Sequence, residues 1–537
     1  PHKRKRKRER KSDNNDTNTD NSRIMITIFI AFLVYISSFV CDCRFINHDN
    51  VMDLRNKDLE TVRLIEKRLD ELKIVNDGDR LKSNATALDR AAGYFKLNRT
   101  HDAHMFYMFF EKRGQNKEEE EVIDEDKIPL ILWLTGGPGC SSELAAFVEN
   151  GPYFVVDNDD KSSIDKYALK ETEFGWDTIG HLLYVDQPVN TGFSYSTSAD
   201  DDVRDSSTVA EDLFDFLQEF LLSRPELADN PVYITGESYA GHYVPAVAFR
   251  IYKALKNDEN DAVNINLKGF AVGNGLTDPE IQYAAYVKYS VGVGIVSEAQ
   301  GNKINEDYLE TCVMKAKMCN EENGKNYTKK ALTKKCIDAV DYCQRIPGTL
   351  LQVAAENKGG KPINVYDVRK ECVGELCYDF SKIGEYLNQK STRKALGISP
   401  DFKKWETCNM NVHEKMMADW MHNYENIIPE MLENGVRGMI YAGESDFICN
   451  WNGNLEWTRN MEWSGKEDFT KKFSSPFVID SESGWTGGEV IETDGRLSFV
   501  KVSQAGHMVP MDQPRVSRDM IKRFVNEEKI ATGTTSK

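Results

Sequence analysis

Hydrophobic and polar positions along the 537-residue chain fall into two alternating patterns. Short apolar runs recur at residues 129–134, 181–185, 231–234, 267–272, 436–442 and 497–502. Runs of this length, rich in β-branched and aromatic residues, predict strands buried on both faces. Between them lie stretches with apolar residues at helical spacing, notably 209–222 and 243–255. Strands alternating with helices predict an α/β fold with a mostly parallel sheet. Two further runs, 93–97 and 104–110, predict an antiparallel hairpin ahead of it.

Three regions break this rhythm. An uncharged apolar run of 17 residues, Ile24 to Val40, follows a basic segment. That order predicts a signal peptide or an uncleaved signal anchor within residues 1–40, so a membrane becomes a partner only if 24–40 stays uncleaved. Residues 41–88 are polar, with Leu54, Leu59, Val62, Ile65, Leu69 and Leu72 near helical spacing, which predicts a pro-segment or linker with one helix. Residues 280–415 are more polar and hold seven of the eleven cysteines, six of them in the tract from Cys312 to Cys377, which predicts an inserted, disulfide-stapled cap. The core then reads as 89–279 and 416–528, with a tail at 529–537. The acidic stretch 118–126 predicts a solvated loop.

Charge sharpens the picture. The net charge is −18, yet the first eleven residues carry eight Lys/Arg against one Glu, so the remainder sums to −25. A strongly acidic body argues against nucleic acid as a partner. Together with the leader it predicts the secretory pathway, either a vacuole or lysosome or secretion. Asn84, Asn98 and Asn326 stand in glycosylation acceptor triplets, which make sense in that pathway.

The candidate chemistry sits where strands end. After 231–234 comes Thr235-Gly236-Glu237-Ser238-Tyr239-Ala240-Gly241-His242, with a helical stretch beyond. This is the strand–turn–helix context of a nucleophile elbow, with Ala240 in place of the usual second glycine and Gly241 beside it. The order required of an α/β-hydrolase is Ser, acid, His. Asp446 follows the strand at 436–442, with Glu444 a rival acid, and His507 follows the strand at 497–502. His242 lies a turn beyond Ser238, which predicts a packed histidine instead of a base. The Thr135-Gly136-Gly137-Pro138-Gly139 turn lacks the Lys-Ser/Thr of a phosphate loop and fits an oxyanion loop.

Taken together, WLTGGPGCSS, ENGP at 149–152, DQPVNTGFSYS, ITGESYAGHYVP, GNG at 273–275, SDFICNW and GHMVPMDQP resemble the serine carboxypeptidases of the carboxypeptidase Y type. The resemblance spans roughly residues 90–525. GYFKLNRTHDAHMFYMFFE, with Thr135, is most similar to the vacuolar-type plant members. It implies an α/β-hydrolase fold with Ser238, Asp446 and His507 as the triad and the N–H groups of Gly137 and Tyr239 as the oxyanion hole. It implies that Trp133, Thr135, Gly136, Glu149 and Glu237 recognise a peptide's free C-terminal carboxylate, with Thr135 where the family usually has Asn. Peptide or protein C-termini are then the substrate, with no cofactor and no metal. Two glutamates facing a carboxylate must hold a proton, so acidic pH favours binding.

The same resemblance implies disulfides Cys140–Cys408, Cys312–Cys343, Cys319–Cys336 and Cys372–Cys377. Cys449 then stands at the family's free thiol beside a substrate pocket that also includes Met508. A zinc reading lacks CxxC pairs. Alternatives to a carboxypeptidase are an acyltransferase of the same family that uses glucose esters, a non-catalytic member, and a lipase. The intact triad disfavours the second, and the carboxylate-binding set disfavours the third.

Overall fold

The apolar runs form the centre of an eleven-stranded sheet. The computed structural model describes residues 64–68 and 90–531, apart from 115–127, 258–262, 322–328, 375 and 494. All of these belong to one compact unit, Leu59–Lys537. The apolar run 24–40, most of 41–88, the acidic loop 118–126, Asn84, Asn326 and residues 532–537 lie outside the described residues.

In chain order the elements are β1 (Leu64–Arg68), β2 (Arg90–Lys96), β3 (His104–Phe110), β4 (Leu130–Thr135), α1 (Glu143–Val148), β5 (Tyr153–Asp157), β6 (Tyr167–Glu171), β7 (His181–Val185), α2 (Ser206–Ser223), β8 (Val232–Glu237), α3 (Ala240–Asn257) and β9 (Leu267–Gly273). An inserted helical stretch follows, with α4 (Pro279–Gly292), α5 (Glu298–Asn320), α6 (Lys329–Cys343) and α7 (Arg345–Asn357), then shorter helices. The sheet resumes with β10 (Arg437–Gly443), α8 (Trp451–Asn460), β11 (Ser475–Asp480), β12 (Trp485–Thr493), β13 (Leu497–Val502) and α9 (Pro514–Val525).

The sheet order is β1-β2-β3-β7-β4-β8-β9-β10-β13-β12-β11. The stretch from β7 to β13 is parallel throughout, and both edges are antiparallel. Side chains alternate across it with the period of a strand. Leu132, Leu134, Ile234, Val272 and Ile440 pack on one face against Phe216 and Phe220 of α2 and Val247 and Ile251 of α3. Ile131, Trp133, Tyr233, Ala271, Met439 and Tyr441 pack on the other, with Leu144 of α1 and Met520 and Phe524 of α9. Burial on both faces explains why these strands read as continuous apolar runs. The insertion has its own cluster around Tyr283, Tyr286, Ile346 and Leu350, to which Cys312, Cys319, Cys336 and Cys343 belong.

One expectation changes. Leu64–Arg68 is an antiparallel partner of β2, with Leu64 opposite Phe95 and Arg68 opposite Ala91, where the spacing predicts helix. The open N–H and C=O row of the β2 edge offers that segment a ladder, and tertiary pairing overrides a weak amphipathic period.

Candidate active site

Parallel neighbours bring the carboxyl ends of β8, β10 and β13 to one rim, where an open α/β sheet holds its site. Glu237 is level with Gly273, Gly273 is next to Tyr441, and Gly443 is level with Val502. The three loops that leave this rim carry Ser238, Asp446 and His507.

Ser238 sits at φ +67°, in the left-handed region that a side chain adopts at a cost of about 1–2 kcal/mol. The surroundings hold it there. Its N–H donates to Gly273 O (3.1 Å), and its carbonyl accepts from Gly241 N (2.9 Å) and Leu276 N (3.0 Å). Between Val232 and Ala248 it is the single residue that is not buried, so the turn pushes one hydroxyl outward. A Cβ on Gly241 would lie 2.4 Å from Leu276 O, so the close packing of the elbow falls on this glycine while Ala240 is accommodated. A Cβ on Gly136 would lie 2.3 Å from Tyr239 N and 2.9 Å from Ser238 Cβ. A bare backbone at 136 is therefore what lets the β4 loop lie against the elbow. Gly137 and Thr135 of that loop are partly exposed. The Tyr239 N–H stands just before the N-terminus of α3, whose dipole favours negative charge.

His507 and Asp446 are joined by a 2.8 Å bond between Nδ1 and Oδ2, and both are buried. Asp446 also accepts from Asn274 Nδ2 (2.8 Å), Ile448 N (3.1 Å) and Cys449 N (3.2 Å). Asn274 Oδ1 in turn accepts from Gly443 N at 3.1 Å, so Asn274 ties the acid to the end of β10. The rival Glu444 points elsewhere, accepting from Gln504 N (2.9 Å) and Nε2 (3.2 Å). No hydrogen bond joins the Ser238 hydroxyl to His507 in the resting structure, a contact that often tightens only with substrate bound. His242 is fully buried, with its ring 4.6 Å from that of Tyr239 and its Nδ1 2.5 Å from Leu276 O.

Glu149 and Glu237 are buried beside the elbow, and one oxygen of each, Oε2, has no partner. Burial pushes the Glu149 carboxyl up to about 8; the Glu237 bond opposes this and the charge of Asp512 adds to it. Burial also pushes the Glu237 carboxyl well above its ordinary value, reinforced by the charges of Glu149 and Asp446. The pair therefore keeps a proton at acidic and neutral pH. Trp133 Nε1 donates to Thr135 Oγ1 (3.0 Å), which leaves the Thr135 O–H free to donate in turn.

Eight cysteines form the disulfides Cys140–Cys408, Cys312–Cys343, Cys319–Cys336 and Cys372–Cys377. Cys449 is a buried free thiol next in line to Asp446, and Met508 is buried beside His507. Burial raises the Cys449 thiol well above its ordinary value. Asn98 is exposed, and its amide donates to Glu219 at 2.9 Å. Among the described residues, metal-ligand spacing occurs at Cys319, Cys336 and His422, and there both sulfurs are committed to a disulfide.

Sequence reasoning missed several buried polar groups around the site. Asp186 accepts from Ser142 N (3.2 Å) and Phe193 N (2.7 Å), next to Glu143, which accepts from Ser141 Oγ (2.6 Å). These carboxyls, both raised by burial, brace the loop after β4 from below. Asn274 was visible only as part of the GNG motif. Asp419 carried no signal at all, since two of its partners, Ser206 and Tyr239, come from distant stretches and meet His422 and Tyr424 around it only on folding.

A family model described as serine carboxypeptidase matches residues 81–527. A serine carboxypeptidase-like protein of Oryza sativa subsp. japonica is 45% identical over 444 residues, which is 83% of this chain and 94% of the relative. Serine carboxypeptidase 3 of Hordeum vulgare is 42% identical over 469 residues, covering 87% of this chain and 83% of the relative. The crystal structure of Kex1Δp, a prohormone-processing carboxypeptidase from Saccharomyces cerevisiae, superposes with a TM-score of 0.71 at 26% identity, covering 86% of this chain and 95% of that one. The chain belongs to the serine carboxypeptidase family, serine-type hydrolases built on the α/β-hydrolase fold.

Proposed function

We propose that this protein removes C-terminal amino acids from peptides and proteins through an acyl-enzyme, best at acidic pH. The observation that carries this reading is the buried Glu149–Glu237 pair beside the elbow, held protonated by burial and mutual repulsion. A protonated carboxyl pair can donate to a substrate carboxylate, whereas an ionised pair repels it. Trp133, Thr135 and Gly136 complete that subsite. Cys449 and Met508 contribute to an apolar pocket that suits hydrophobic residues on either side of the scissile bond.

In the mechanism Ser238 Oγ attacks the last peptide carbonyl and its proton passes to His507 Nε2. Asp446 holds the imidazolium from the Nδ1 side, and Asn274 holds Asp446. The N–H groups of Gly137 and Tyr239 receive the developing oxyanion. The C–N bond breaks, His507 protonates the leaving amine, and the free amino acid departs. Water, deprotonated by His507, then attacks the acyl-enzyme and releases the shortened peptide.

The four disulfides favour an oxidising compartment. With the apolar run 24–40 as a signal segment and 41–88 as a pro-segment, they support passage through the secretory pathway to a vacuole or lysosome, or to the outside. The test is a pair of peptides that differ only at the C-terminus. Mass spectrometry should record stepwise loss of residues from the free acid, with the amide degraded at least tenfold more slowly. Equal degradation of both would overturn carboxylate recognition, and transfer of the acyl group to an added alcohol in preference to water would move the reading to an acyltransferase.

A further inference from the structure

Asp419 is 1% exposed, and its carboxylate gathers five hydrogen bonds. Oδ2 accepts from Ser206 N (3.0 Å), Ser206 Oγ (2.6 Å) and the Tyr239 hydroxyl (2.9 Å). Oδ1 pairs with His422 Nδ1 (3.0 Å) and accepts from the Tyr424 hydroxyl (3.0 Å). Ser206 opens α2, Tyr239 follows the nucleophile, and His422 and Tyr424 belong to the segment that returns from the helical insertion. Burial alone would raise this acid, but the bonds from His422 and Ser206 and the charges of His422 and His242 hold it down at about 2, so it stays ionised.

The partner that matters is Tyr239. Its ring is 1% exposed, wedged between the rings of His242 (4.6 Å), Tyr243 (5.2 Å) and Trp420 (5.4 Å). The side chain therefore offers the substrate little. Its backbone N–H, however, leaves the strained Ser238 and faces the loop at Gly136. A tyrosine anchored at its far end by a fixed charge cannot swing, and its peptide unit is fixed with it.

We propose that Asp419 is a positioning residue for the oxyanion site, acting through the Tyr239 hydroxyl to fix the peptide N–H that follows Ser238. This rests on the reading of Ser238 as nucleophile and deepens it. The bond geometry also links the site to the insertion, because the other nitrogen of His422 lies 3.4 Å from Cys336 Sγ in the Cys319–Cys336 disulfide.

The test compares Asp419→Asn, Tyr239→Phe and the double variant in the full chain. The readout is the acylation burst from an N-blocked amino acid p-nitrophenyl ester, normalised to Ser238 sites titrated by an organophosphorus reagent. Acylation is common to a hydrolase and an acyltransferase, so the assay does not depend on which acceptor follows. A misplaced oxyanion donor should lower the per-site rate roughly 10²-fold in Asp419→Asn and about 10-fold in Tyr239→Phe, with KM unchanged. The double variant should be no slower than Asp419→Asn, because both changes break one chain of contacts. Tyr239→Phe keeps the ring and decides the matter alone if Asp419→Asn does not fold. A normal per-site rate with fewer titratable sites would mean a merely structural role and overturn the inference, as would multiplicative effects in the double variant. A wild type with neither burst nor label at Ser238 would overturn the functional reading itself, and the inference with it.

Discussion

Glu149→Gln isolates the proton on which the proposed carboxylate recognition turns. Both buried glutamates are raised, Glu149 with its carboxyl at about 8 and Glu237 well above its ordinary value. As pH rises through about 8, the wild type loses the Glu149 proton and acquires a buried negative charge facing the substrate carboxylate. One pH unit above that point about one molecule in ten retains the proton, a penalty of about 1.4 kcal/mol. KM for an N-blocked dipeptide should therefore rise about fivefold between pH 8 and pH 9 in the wild type, as the protonated fraction falls from about one half to about one eleventh. An amide at position 149 cannot lose a proton, and burial still favours the protonated form of Glu237, so the variant's KM should rise far less over the same interval. Steady-state kinetics on the dipeptide and on its C-terminal amide separate the causes: the amide has no carboxylate, so its KM should not change with pH in either enzyme. An equal alkaline rise in wild type and variant would refute the reasoning, and so would the same rise with the amide.

Four further outcomes are expected. Asp446→Asn, which leaves the geometry but disturbs the charge and tautomer at His507, should lower kcat by roughly 10⁴ in steady-state assays. Asn274→Ala strands the buried Gly443 N–H and removes one of three donors to Asp446 Oδ2, so chemical denaturation should register a loss of about 1–3 kcal/mol, with kcat reduced as well. Replacing Cys140 and Cys408 by Ser opens a bridge between residues 268 apart in sequence that pins the loop after β4; a loss of about 2–5 kcal/mol should appear as a lower Tm. Stability itself should fall with rising pH. Glu149, Glu237, Glu143 and Asp186 all have carboxyls raised on folding, so the folded chain binds protons the unfolded chain has released. That stability is complete below the ordinary carboxylate value of 4.5 and is lost as pH climbs through about 8 at Glu149, so Tm at pH 5 should exceed Tm at pH 8.

The central strands were legible because burial on both faces writes them as unbroken apolar runs, and β13 runs from Leu497 to Val502 as its pattern predicts. The Ser, Asp and His candidates were legible because each follows such a run. The edges were harder. β1 lies in a stretch whose leucines repeat at helical spacing, and only an open sheet edge far along the chain makes it a strand. The β5–β6 hairpin carries its buried residues unevenly and gave no alternation to read. The supporting polar groups escaped for a different reason. Asp419, Asp186 and Glu143 look like ordinary surface acids, and their value comes from donors that only folding assembles. Glu444 stood as a rival to Asp446 two residues away, and the bond to His507 falls to Asp446.

The most direct measurement is release of the C-terminal amino acid from an N-blocked dipeptide at pH 5 and pH 9, for the wild type and Ser238→Ala. The expected result is rapid release at pH 5, weaker release at pH 9, and none from the Ser238→Ala protein at either. Release that survives loss of the Ser238 hydroxyl, or that is faster at pH 9, would contradict it.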